Sequence, residues 1–151
     1  MSDDERVIVI SGGSRGLGSA LVKDWLARGA HVATCSRSST PFIEECQQLY
    51  GEAQGNYGQR FYWQSVDITD GEAVRKFVST VARRFGRIDA LINNAGISHD
   101  GVLPLMRPAE IHQLISINFE AAVHFAQACA KVMMTKRQGV MVNISSVNAI
   151  R

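Results

Sequence analysis

The chain has 151 residues, 46% of them hydrophobic and 20% charged, with 16 basic side chains against 14 acidic ones and a formal charge of +2. That is enough apolar material for a real core. The near-neutral balance lacks the concentrated positive field of a nucleic-acid binder, so no nucleic-acid partner is expected. Cys35, Cys46 and Cys129 are widely spaced and form no CxxC pair or Cys/His cluster, which leaves no metal site and reads as small hydrophobes of a reduced compartment. The four histidines, His31, His99, His112 and His124, read as surface or packing residues. "MSDDER" is followed by an apolar run of only four residues, Val7 to Ile10, too short for a signal peptide or a membrane span. A cytoplasmic protein with no membrane partner is expected.

Five apolar, β-rich runs follow in chain order: "RVIVIS" at 6 to 11, "AHVATCS" at 30 to 36, "RFYWQSVD" at 60 to 67, "IDALIN" at 88 to 93 and "GVMVNIS" at 139 to 145. Runs without strict polar alternation suit strands buried on both faces. Helix-period stretches lie between them at 16 to 28, 40 to 51, 71 to 85 and 108 to 136, with "YGEAQGNYGQR" at 50 to 60 as a loop. Gly29 stops the first helix, Pro108 suits the first turn of the last, and Lys136, Arg137 and Gly139 end it. Alternating strands and helices predict a three-layer α/β domain around a doubly wound parallel sheet, Rossmann-like in kind. Residues 1–151 read as one domain or part of one.

Ligands of such sheets bind beyond the carboxyl ends of the strands. The first strand runs into "SGGSRGLG", Ser11 to Gly18, where Gly12, Gly16 and Gly18 allow a tight turn, close backbone approach and a helix start that can face a pyrophosphate. The spacing is GxxxGxG rather than GxGxxG. The second strand ends in Ser36 and Arg37, where an NAD site would place a carboxylate. Arg37, helped by Arg15, would pair with a 2′-phosphate, so NADP(H) is favoured over NAD(H).

The third strand ends in Asp67, a candidate ligand of an adenine amino group, followed by Ile68; Thr69 or Asp70 caps the next helix. The fourth ends in "NNAG", Asn93 to Gly96, whose amides and glycine let the backbone approach a flat ligand. In the long helix the apolar stripe Ile111, Leu114, Ile115, Ala122, Phe125, Cys129 and Val132 also carries Asn118, a polar residue expected to be buried and to need partners.

"SGGSRGLG", Asp67, "NNAG", Asn118 and "VNISS", in this order, resemble the classical short-chain dehydrogenase/reductase family. The stretch from "NNAGISHDG" through "VNISS" looks most like the β-ketoacyl-acyl-carrier-protein reductase branch. Ser11 stands where the family usually has threonine.

The resemblance implies that Ser146 is the catalytic serine and that Asn118 holds a water of the proton relay through its backbone. Gly12, Ser14, Arg15, Leu17, Arg37, Asp67, Asn93, Ala95, Gly96 and Ile144 fall on cofactor contacts. Ser145 is a neighbour that shapes the turn. The family's proton donor, in a YxxxK motif, is expected past Arg151. Tyr50, Tyr57 and Tyr62 do not fit it, being followed four residues later by Gln54, Phe61 and Val66.

A sheet incomplete at its C-terminal side is therefore expected, with the fifth strand an open apolar edge. The chain would be one piece of a longer protein, completed by a missing C-terminal half or a second chain, and inactive alone. The implied activity is NADP(H)-dependent reduction of a ketone, a 3-oxoacyl thioester above others. A sugar or alcohol dehydrogenase and a non-catalytic dinucleotide-binding piece are the alternatives, and an S-adenosylmethionine methyltransferase is disfavoured. The family is commonly tetrameric through the long helix, so a homotetramer or dimer is expected. Lys136 and Arg137 would dock an acyl carrier protein or simply form the basic end of a helix.

Overall fold

The computed structural model describes residues 6–51, 59–99 and 101–146. Most of the loop expected at 50 to 60 lies outside the described residues, as do the N-terminal acidic residues and Arg151. Five strands form one parallel sheet: β1 Val7–Ser11, β2 His31–Ser36, β3 Phe61–Ser65, β4 Ala90–Asn93 and β5 Val140–Asn143. Their order is β3-β2-β1-β4-β5. The chain steps outward from β1 to β3 and then crosses back over β1 to lay down β4 and β5. The direction of winding reverses between β1 and β4, and a crevice opens there at the carboxyl ends of the strands.

The helices cover both faces. Helices α1 (Gly16–Ala27) and α2 (Pro41–Tyr50) pack Val22, Leu26, Ile43 and Cys46 on Ile8, Ile10, Val32 and Phe61. On the other face α3 (Gly71–Phe85) and α5 (Ala121–Lys136) set Phe77, Val81, Phe125 and Cys129 on Val7, Val9 and Leu91. Alternate residues of β1 thus serve opposite layers, the period-2 geometry of a strand. Phe77 meets Phe125 edge to face with ring centroids 6.2 Å apart, the favoured aromatic arrangement.

Local signals set most boundaries. Thr40 caps α2 by accepting from Ile43 N–H, and Asp70 rather than Thr69 caps α3, accepting from Glu72 and Ala73 N–H. Pro108 opens α4 (Pro108–Ile115). At the end of α5 it is Arg137, not a glycine, that takes the left-handed conformation, with φ 50°.

Two expectations are corrected. Burial on both faces holds for β1, β2 and β4 but fails for β3, which is only partly buried at one sheet edge, while β5 is exposed along its length as the open edge expected of the fifth strand. The helix expected at 108 to 136 is interrupted by a π turn, Ser116–Glu120, between α4 and α5. Because that turn shifts the helical phase, Ile115 is exposed and Asn118 is not buried.

Candidate functional site

At the crevice between β1 and β4 lies a cleft of about 650 Å³. Its floor begins with the glycine-rich loop. Thr34, fully buried in β2, donates through Oγ1 to Ile10 C=O at 2.7 Å and accepts from Gly13 N–H at 2.9 Å, so it pins the loop's first turn to the sheet. A Cβ at Gly18 would stand 2.2 Å from Gly12 O and 2.6 Å from Asn94 Nδ2, so only glycine lets α1 start so close to the neighbouring strand ends. The first turn of α1 holds no acidic residue, and the cap residue, Arg15, makes no side-chain bond to it. Its N–H groups and positive dipole are left facing the cleft, as an anion requires.

A second knot joins the glycine loop to the β4 loop. Ser11 Oγ accepts from both Asn94 N–H (3.1 Å) and Ala95 N–H (3.0 Å), while Asn94 Nδ2 donates to the carbonyls of Ser11 (3.0 Å) and Gly12 (3.1 Å). Ser11 is 2% exposed, so these bonds are made away from water. A serine hydroxyl suffices at this position, since only the oxygen is used.

The structure brings most of the sequence-predicted residues together. From the glycine loop Gly12, Ser14, Arg15, Leu17 and Gly18 line the cleft, Ser36 and Arg37 line it from the end of β2, and Asp67 and Ile68 line it after β3. Ala95 and Gly96 close it from β4. Gly16, exposed at the helix start, is not part of the lining.

Asn93 is placed otherwise. It is 6% exposed and points away from the cleft, donating to Asn143 Oδ1 (2.9 Å) and to Ala122 C=O (3.3 Å). Its neighbour Asn94 faces the cleft instead, because successive residues of an extended chain point to opposite faces.

Asn118 stands on the π turn, outside the lining. Its Oδ1 accepts from Ile97 N–H at 2.8 Å and its Nδ2 donates to Ile97 C=O at 2.9 Å, closing the β4 loop onto the helix. A Cβ at Gly96 would approach that Oδ1 to 3.3 Å. π turns recur at functional sites. Ile144 and Ser146 follow β5, whose end is held to β4 by Ile144 N–H donating to Asn93 C=O at 2.9 Å. Both are exposed at the same end of the sheet as the cleft but are not part of its lining. Lys136 and Arg137 are exposed at the opposite end of the sheet, where β5 begins.

The electrostatics divide the cleft. Asp67 accepts from the Thr69 hydroxyl (2.7 Å) and Thr69 N–H (3.0 Å), and these bonds, with the nearby Arg37 charge, hold its carboxyl below the usual range. Cys35 also lines the cleft, but burial pushes its thiol up to about 12, and Cys129 likewise to about 12, so both are neutral at physiological pH. Thr34 and the α4 residue Gln113 were not singled out by sequence reasoning, Asn94 was read only within "NNAG", and His112, read as a surface or packing residue, lines the far wall beside Gln113. A threonine inside an apolar strand was the available signal for the first. Among the described residues no cluster could hold a metal ion, and no helix is long and apolar enough to cross a membrane.

The order β3-β2-β1-β4-β5, with a glycine-rich loop at the switch point, defines a Rossmann-like α/β protein. The chain belongs to the short-chain dehydrogenase family, whose model matches residues 6–151. It is 33% identical over 150 residues to a 3α-hydroxysteroid dehydrogenase of Mediterraneibacter gnavus, covering 96% of this chain and 57% of that protein. To the 3-oxoacyl-[acyl-carrier-protein] reductase FabG of Escherichia coli it is 29% identical over 147 residues, covering 97% and 57%. A solved structure of ElxO with NADP bound superposes with a TM-score of 0.82 at 28% identity, over 97% of this chain and 57% of that one. The chain thus spans 57% of the length of each of these relatives.

Proposed function

We propose that this chain is the dinucleotide-binding portion of an NADP(H)-dependent reductase that converts a ketone, a 3-oxoacyl thioester above others, to a secondary alcohol. The observation that carries the reading is the end of β2. Arg37 and Arg15 line the cleft there, neither guanidinium makes an ion pair with another described residue, and no carboxylate ends the strand. Two cations without an ion pair suit a 2′-phosphate, which offers the charge that a 2′-hydroxyl lacks. The NADP-bound relative supports the same cofactor.

The residues fit the group. The α1 N-terminus and the Gly12–Gly18 loop would hold the pyrophosphate, Arg15 and Arg37 the 2′-phosphate, and Asp67 with Ile68 the adenine. When bound, a reduced nicotinamide supplies hydride. Ser146 would donate a hydrogen bond to the ketone oxygen and so orient it, while the Asn118 backbone would hold a water that returns the proton. The proton donor is expected in the sequence beyond Arg151, so residues 1–151 alone should bind the dinucleotide without turning it over.

Resemblance to the β-ketoacyl-acyl-carrier-protein reductase branch supports the acyl substrate. The steroid dehydrogenase relative, at a higher identity than the reductase named with it, supports the alternative of an alcohol or sugar dehydrogenase on its alcohol side. Lys136 and Arg137 would dock an acyl carrier protein; reversing their charge should raise KM for the carrier-bound substrate but not for a small thioester. The exposed Ile115, Phe119 and Val123 suit assembly into a dimer or tetramer through the long helical segment, and a cytoplasmic location is consistent with the whole.

The test of the cofactor reading is Arg37→Asp. Calorimetric titration should show NADPH binding weakened by about 10- to 100-fold, the scale of a charge-assisted hydrogen bond, with NADH binding nearly unchanged. Equal losses for both would reject it.

A further inference from the structure

We propose that Trp63 and Ser65 are positioning residues for cofactor selectivity: from the edge strand β3 they hold the bend after β2 that carries Arg37 at the cleft. The inference rests on the NADP(H) reading above.

The bend at Arg37 and Ser38 is exposed. Left to itself, a long arginine on such a bend would lose much conformational freedom on gripping an anion. Side chains restrain the bend from two sides. Trp63 Nε1 donates to Ser36 Oγ at 2.9 Å, and Ser36 Oγ in turn donates to Ser38 C=O at 2.8 Å. Ser65 Oγ donates to Arg37 C=O at 2.8 Å. On the near side Thr40 Oγ1 donates to Ser14 C=O at 3.1 Å, tying the far end of the bend to the glycine loop.

Register explains why β3 can do this. Thr34 pairs with Trp63 and Ser36 with Ser65, so the two β3 side chains emerge two residues apart, on one face, beside the bend. The indole also packs against the apolar layer beneath α1 and α2, which fixes its N–H in place.

One consequence concerns Ser36. Its proton is committed to Ser38 C=O and it accepts from the Trp63 indole, so it braces the bend and is not a donor to a ligand anion. That task falls to Arg37, with Ser38, which also lines the cleft, beside it. Only a cofactor bearing a 2′-phosphate meets this end of the cleft as an anion, so the bracing acts on NADPH and not on NADH.

The test is calorimetric titration of the full chain with NADPH and NADH, for the wild type, Trp63→Phe and Ser65→Ala. Trp63→Phe keeps an aromatic ring in the apolar layer and removes the N–H. Each variant should weaken NADPH about fivefold, the scale of one hydrogen bond, and leave NADH unchanged. Weakening of both cofactors alike, or of neither, overturns the proposal while the NADP(H) reading stands. A wild type that binds NADH as tightly as NADPH overturns that reading and this proposal with it. Melting curves report whether Trp63→Phe folds; if it does not, Ser65→Ala, whose side chain is exposed, decides alone.

Discussion

Asn118 and Ile97 are joined by a reciprocal pair of hydrogen bonds, amide to peptide, at 2.8 and 2.9 Å. The side chain imitates a strand partner for a loop that has none, so the segment after β4 is held against the π turn. Asn118→Leu removes both bonds and should cost about 1–2 kcal/mol of stability, the net worth of two exposed hydrogen bonds. Asn118→Asp keeps the acceptor for Ile97 N–H and should recover part of the loss. Urea unfolding of the three proteins checks the ranking, and equal stabilities would contradict it.

Ser11 makes a sharper prediction, because its oxygen serves two backbone donors in a buried setting. Ser11→Ala leaves the Asn94 and Ala95 N–H groups without that acceptor and should cost about 2–3 kcal/mol. Ser11→Thr retains the oxygen and should restore the stability if the added methyl is accommodated. Thermal melts that place the alanine variant level with the wild type would contradict this role.

Asp67 should titrate below an ordinary aspartate, chiefly because Thr69 donates to it twice. Its folded pKa is depressed, so the stability it contributes is present above the unfolded pKa and is lost as pH falls through the folded one. Thr69→Val removes the hydroxyl donor and should move the midpoint up toward the usual value. A carboxyl NMR titration measures both. An unchanged midpoint would mean that the Thr69 hydroxyl is not the cause.

Much of this architecture was legible in the sequence. The five strands and the helices flanking them follow from apolar runs and 3.6-residue spacing, and the glycine loop, Arg37 and Asp67 emerge at one end of the sheet as position after a strand predicts. What escaped did so for local reasons. Adjacent asparagines at a strand end face opposite ways, and nothing in "NN" says which faces the ligand. Helical spacing placed Asn118 on a buried stripe, but the π turn breaks the phase at that point. The fifth strand was expected at an open edge, but composition could not say that β3 is the other edge, since edge position is a property of the whole sheet. Thr34 shows in the sequence only as a polar residue inside an apolar strand, because the role of its hydroxyl exists only once the glycine loop lies over it.

The central claim is that the cleft between β1 and β4 binds NADP(H). Its most direct test is an NMR titration of the isotope-labelled chain with NADPH. The account predicts saturable amide shifts confined to Gly12 through Gly18, the Arg37 bend, Asp67 with Ile68, and Ala95 with Gly96, with Lys136 and Arg137 silent. No saturable shift, or shifts centred elsewhere, would contradict it.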